Sequence, residues 1–504
     1  MLREIVRFAV PGCALAAAIW MLARYFTVLR PRAGTTEWIG RLTPPPWQPV
    51  AGCPLHGMDA PAALLLGLAS CSSGGDAREL LGNVPEKAQA VVVLNIDKMI
   101  SDADLQTDGD KVELSRQLKQ LTADADVNPL DLLSKGAIRH TAAVFFAVDN
   151  EPFLTGFIAD EKAFVRFFED AWEDSFGTES GMQVLSKGNN AIAIVDDRFW
   201  LTTPAGLDNV RKYMDLDTDR SFAGTGLADE LSSADRDIAG CVNISDMLEL
   251  AQAMGSRSDA ASIRQLAAVL DKAEYATFNC RFEKGQILAE AFVYDKKFER
   301  IADDGSYFTK INKGTLDCMK GSFDMVMAVG ISSKLAGQLG ALASMATGAS
   351  VPGIDAIDGT VAFACNPTET LGSGMPAAMA AVKMKNAQDA QQLGSFLKEG
   401  MGTGIGVSMK GSTLLLRTRD FDGKLTAGEC LADLNGAYFG YAIAPSLLKK
   451  TLPNNTIPFK GASFTLSPDN GSFKMEMKVL TGSDKNSLAT IISLLAAMQK
   501  ENRL

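Results

Sequence analysis

Hydrophobic positions in this chain follow two rhythms. Ala276, Phe278, Cys280 and Phe282 alternate with Thr277, Asn279 and Arg281. That two-residue period predicts a strand with one face on a core and the other toward water. Continuous apolar runs at 90–95, 142–148, 153–158 and 191–195 predict strands in a crowded core. Phe164, Phe167, Phe168 and Trp172 recur at helical spacing behind Asp160, which predicts a helix with that stripe buried. Lys187-Gly188-Asn189-Asn190 reads as the turn of a hairpin between 184–186 and 191–195. The segment 487–500 places Leu488, Ile491, Ile492, Leu495 and Met498 on one helical face. Ser483 and Asp484 supply capping chemistry before it. This helix is expected to pack on the sheet of the second half of the chain.

The same order of elements occurs twice. An opening strand at 90–95 is answered at 325–331, and a helix at 114–121 at 335–345. Strands at 142–148 and 153–158 are answered at 360–365 and 377–382. The helix after Asp160 is answered by one after Asn386, and the Lys187-Gly188 turn by Lys410-Gly411. Ala276-Thr277-Phe278-Asn279-Cys280 matches Ala462-Ser463-Phe464-Thr465-Leu466. A period this long reads as a domain duplication and not as a solenoid. The predicted class is α+β: a duplicated unit of mainly antiparallel sheet with helices packed on one side. The expected organisation is a leader or signal region at 1–70, a flexible tether at 71–84, repeat unit one at 85–300, a connector at 301–321, and repeat unit two at 322–504.

Composition narrows the function classes. The 504 residues carry a formal net charge of −11. Positions 1–70 hold six Arg and no Lys against Glu4, Glu37 and Asp59, so the remainder carries −14. An acidic body of that size repels phosphate backbones, and no nucleic-acid partner is expected.

The most specific motif is Leu68-Ala69-Ser70-Cys71, preceded by the apolar run 62–69 and followed by Ser72-Ser73-Gly74-Gly75. It resembles the lipobox of bacterial lipoproteins. The resemblance implies cleavage before Cys71 and lipid on its sulfur and new amine. Two or three acyl chains anchor a protein stably where one is marginal. Residues 42–70 contain no Lys or Arg, and Pro44-Pro45-Pro46, Pro49, Pro54 and Pro61 break any helix there. Residues 1–57 are therefore expected to be a misassigned start, the alternative being a membrane segment at 8–29.

The Cys-Ser-Ser-Gly-Gly tether is followed by Asn83-Val84-Pro85-x-x-Ala88-x-Ala90-Val91-Val92-Val93-Leu94-Asn95. Together these resemble uncharacterised lipoproteins of Bacteroides-type bacteria, the domain of unknown function 4836 family, over roughly residues 68–504. The resemblance implies export and a lipid anchor in the outer membrane, with the periplasmic or surface face left open. It implies no enzyme activity, substrate or cofactor.

Catalytic signals are sparse. Beyond the leader the sole histidine is His140, expected as an exposed strand-end residue. Cys241, Cys280, Cys318, Cys365 and Cys430 show no CxxC spacing and read mostly as buried small hydrophobes. Asp104–Asp110 and Asp215-x-Asp217-x-Asp219 are fragments of calcium-loop patterns without the closing Glu or the turn Gly, and read as solvated acidic loops. Gly402-Thr403-Gly404-Ile405-Gly406 follows a helix and precedes a strand, the reverse of a dinucleotide loop. No metal, cofactor or catalytic residue is assigned. The expected function is an exported, lipid-anchored, non-enzymatic binding or structural module for an unknown protein or small-molecule ligand. The alternative is an envelope hydrolase using a carboxylate pair.

Overall fold

The structure, a computed structural model, describes residues 74–122, 128, 130–246, 273–303, 305–347, 353–370, 376–401, 405–447 and 459–501. Its class is α+β, with a large antiparallel strand content. The described chain divides into two compact units. The first comprises 74–285, 293–299 and 483–501, and the second 286–292 and 300–482. This division departs from the breaks at 300 and 322 read from the sequence.

The first unit opens with helix α1 (Gly74–Leu81), strand β1 (Ala90–Asn95) and helix α2 (Ile96–Asp102). A small hairpin, β2 (Gln106–Asp108) and β3 (Lys111–Glu113), precedes α3 (Arg116–Leu121) and α4 (Leu130–Ser134). Next come β4 (Ile138–Val148), β5 (Glu151–Ile158), α5 (Glu161–Trp172), β6 (Gly177–Glu179), β7 (Met182–Lys187), β8 (Asn190–Val195) and β9 (Arg198–Thr202). The unit continues through α6 (Leu207–Met214), α7 (Ala228–Leu231), β10 (Ile238–Asn243) and β11 (Tyr275–Glu283). Its strands pair antiparallel in the order β11-β10-β1-β4-β5-β9-β8-β7-β6.

Asp160 caps α5 by accepting from the Ala163 N–H, and Phe164, Phe167, Phe168 and Trp172 are buried as their spacing predicts. They join Leu94, Leu154, Ile192 and Leu201 in the core on one sheet face. The other face is covered as well. Leu80, Leu81, Val210, Phe222 and Leu231 are buried there, and Tyr213 meets Phe146 and Phe153 edge-on. Helices on one side alone is therefore corrected for this unit, because α1, α6 and α7 close over the second face. The predicted wet side of β11 falls with it: Thr277 and Asn279 are buried, and Thr277 donates to Glu230 of α7. Gly240 shows how tightly neighbouring strands pack within the sheet. A Cβ there would lie 2.3 Å from the ring of Phe278, its cross-strand neighbour.

The C-terminal helix α11 (Ser487–Glu501) belongs to this unit. Leu488 and Ile492 enter the same core as α5, and the helix packs against α2, α3 and β11. The expectation that it would pack on the second half of the chain is overturned, because β11, α2 and α3 offer the apolar surface that its stripe needs.

The second unit contains part of β12 (Gln286–Tyr294), then α8 (Lys313–Leu316), β13 (Met325–Ile331), α9 (Ser333–Thr347), β14 (Ile357–Thr370), β15 (Pro376–Met384) and α10 (Ala387–Met401). It ends with β16 (Gly406–Lys410), β17 (Thr413–Arg417), β18 (Phe439–Ile443), β19 (Gly461–Asp469) and β20 (Ser472–Leu480). The order is β12-β20-β19-β18-β13-β14-β15-β17-β16, again antiparallel throughout. One face packs Val326, Ala328, Ala364 and Ala381 under Ile311, Phe323 and Leu434. On the other, Met327 and its cross-strand neighbour Phe363 are 39% and 37% exposed.

Candidate ligand pocket

In the first unit a depression of about 410 Å³ has an apolar floor of Pro85, Val148, Tyr213 and Leu216. Its rim carries Glu86, Lys87, Asp149, Lys212 and Arg220. Three separate stretches of chain build it, and polar contacts lock them together. The Asn83 Nδ2 donates to the carbonyls of Tyr213 and Met214, and Arg198 donates to Asn83 Oδ1. The Glu86 N–H donates to Arg220 O at 3.0 Å, and the Phe222 N–H to Val84 O at 2.7 Å. The β4–β5 turn supplies Asp149, whose φ of 51° and the 65° of Asn150 suit a tight two-residue hairpin. Gln89 ties that turn down by accepting from the Asn150 N–H. The walls are therefore set without a ligand.

Tyr213 is 4% exposed. Its edge-on packing on Phe146 and Phe153 fixes the ring direction. The hydroxyl has no hydrogen-bond partner among the described residues, and its pKa is raised, by burial first and then by the Asp149 carboxylate. It stays protonated and free to donate. Lys87, Lys212 and Arg220 form no ion pair within 4.0 Å among the described residues, nor do Glu86 and Asp149. Lys212 lies over the Tyr213 ring, 5.8 Å from its centroid.

A pair of facing carboxylates lies elsewhere in the unit. Lys98 of α2 bridges Asp102 and Asp237, its Nζ 3.3 Å from Asp237 Oδ2. Asp237 is fully buried, and burial pushes its carboxyl up to about 7, against the opposing pull of the Phe282 N–H and Lys98. The pair is closed over by its own lysine and ties β10 to α2 and β11.

His140 departs from its expected exposure. Its side chain is 14% exposed, with Nδ1 3.0 Å from Asp97 and Nε2 2.8 Å from the Gly109 carbonyl. An imidazole nitrogen facing a carbonyl must carry a proton, so this ring clips α2 to the β2–β3 turn. Cys241, Cys365 and Cys430 are buried, whereas Cys280 and Cys318 are half-buried. Burial raises the thiols of the first three, that of Cys430 to about 11. Such thiols are poor nucleophiles at neutral pH. Asp215, Asp217 and Asp219 are exposed. Among the described residues no three His, Cys, Asp or Glu side chains converge to hold a metal ion. The lipobox residues Leu68, Ala69, Ser70 and Cys71 lie outside the described residues, as do Gly402–Gly404 of the glycine-rich stretch.

No family model matches the chain, and no curated protein matches it. Among solved structures it is similar to crystal form I of TP0453, at 9% identity and a TM-score of 0.26, over 44% of this chain and 79% of that one. Crystal form IV of TP0453 matches at 10% identity and a TM-score of 0.27, over 44% of this chain and 83% of that one.

Proposed function

We propose that the chain is an exported, lipid-anchored cell-envelope protein that acts as a non-enzymatic binding module built from two related α+β units. The observation that carries the binding reading is the preset pocket around Tyr213, whose hydroxyl has no partner among the described residues and whose rim carries unpaired charges. Polar groups left unsatisfied beside an apolar floor are what ligand sites offer. The anchor rests on Leu68-Ala69-Ser70-Cys71 and its small-residue tether. The duplication is supported by a shared strand order: β11-β10-β1-β4-β5 in one unit and β19-β18-β13-β14-β15 in the other. Against the hydrolase alternative, the Asp102–Asp237 pair is bridged by Lys98, and its Asp237 carboxylate is fully buried.

Native mass spectrometry of the protein extracted from membranes tests the binding reading. The wild-type chain should carry a small-molecule adduct that Leu216→Trp, which fills the pocket from its floor, removes. A bare wild-type mass, or an adduct equally present in the variant, would contradict it.

A further inference from the structure

We infer that the Tyr213 pocket takes a small organic anion, a carboxylate or phosphate monoester carried on a compact apolar body. This deepens the binding reading above and rests on it. The ligand class follows from donors and shape. Lys87, Lys212 and Arg220 present three cationic groups at one opening in a chain whose net charge is −11, and none of them is neutralised by an ion pair among the described residues. The Tyr213 hydroxyl, held protonated, can offer its hydrogen to an acceptor, and an anionic oxygen is the strongest acceptor available. Pro85, Leu216 and the Tyr213 ring supply an apolar surface for the rest of the molecule.

Glu86 and Asp149 set the orientation. They sit on the rim with the cations, so a cation-bearing end would be drawn to them and an anionic end to Lys212 and Arg220. Three cations against two carboxylates, with the hydroxyl as one more donor, favour the anion. The volume of about 410 Å³ corresponds to roughly a dozen water-sized volumes. That admits a ring or short chain with one charged group and excludes a polymer lying wholly inside. The walls are locked by Asn83, by the Glu86–Arg220 backbone bond and by the β4–β5 turn, so little ordering opposes binding.

The test is isothermal titration calorimetry on the full chain in neutral detergent. The probes are phenyl phosphate, inorganic phosphate, benzylamine as the cationic counterpart, and dihexanoyl phosphatidic acid below its micellar concentration. Phenyl phosphate should bind more tightly than inorganic phosphate, and benzylamine should not bind. The double variant Lys212→Gln/Arg220→Gln should lose about tenfold or more in affinity for phenyl phosphate, and Tyr213→Phe should lose part of it while keeping the fold. The lipid arm separates the two sources of a phosphate group. Tighter binding of phosphatidic acid than of phenyl phosphate assigns the site to a headgroup, and weaker binding assigns it to a soluble anion. Anionic probes that fail to bind, or that bind the double variant as well as the wild type, would overturn the inference. Benzylamine binding that Leu216→Trp abolishes would overturn the anion and leave the pocket reading standing. Silence from every probe, together with a native mass that Leu216→Trp does not change, would overturn both.

Discussion

Asn83 reaches across 130 residues of chain to donate from its Nδ2 to the Tyr213 carbonyl at 3.1 Å. It is 5% exposed, and its side-chain oxygen accepts from Arg198. One buried amide thus pins the end of α6, the segment that aims Tyr213, to the loop that forms the opposite pocket wall. Asn83→Leu would leave the Tyr213 carbonyl and the Arg198 guanidinium short of a partner. The expected cost is about 1–3 kcal/mol. Chemical denaturation of the two proteins should show the variant midpoint lowered, and an unchanged midpoint would refute the pinning role.

Gly240 should tolerate no side chain. A Cβ added there would lie 2.3 Å from the Phe278 ring and 3.0 Å from the Val91 carbonyl, so neither neighbour can withdraw cheaply. Gly240→Val is expected to destabilise the first unit by about 1–3 kcal/mol or more. Gly240→Val paired with Phe278→Ala should recover part of that loss. Thermal unfolding of the single and double variants checks this.

Asp237 predicts a pH dependence. Its carboxyl stands near 7 in the folded chain against an ordinary 3.8. Between those values the native state keeps a proton that the unfolded chain has released. Stability from this group therefore falls as pH rises through that window and is flat below it. Lys98, raised by its two carboxylate partners against the lowering effect of burial, titrates above this range. Urea unfolding at pH 4 and pH 7 should give a smaller difference for Asp237→Asn than for the wild type. Equal differences would contradict the assignment.

The C-terminal helix should report on the first unit. Leu488 and Ile492 are 7% exposed within its core. Leu488→Ala with Ile492→Ala removes buried side chains that cost about 2–5 kcal/mol each in well-packed sites. Hydrogen exchange should speed up in α2, α3 and β11 and leave β13–β15 unaffected. Faster exchange confined to β13–β15 would restore the packing first expected from the sequence.

Local periodicity carried far in this chain and then stopped. The Phe164–Trp172 stripe and the 325–331 run became α5 and β13 because their signals lie within one element. Thr277 looked solvent-facing because α7, whose Glu230 it meets, is 45 or more residues earlier in sequence. Strand β9 enters between β5 and β8, whereas β17 pairs directly with β15 and β16, a difference that no alternation pattern records. The pocket was invisible for the same reason. Pro85, Asp149, Tyr213 and Arg220 are ordinary residues apart, and only the tertiary pairing brings them to one opening.

The most direct measurement of the functional account is mass spectrometry of the mature N-terminus from membrane-extracted protein. The account predicts a first residue Cys71 bearing acyl chains, with Cys71→Ala either unprocessed or released from the membrane fraction. An intact, unmodified peptide spanning Ser70 and Cys71 in the mature wild-type protein would contradict it.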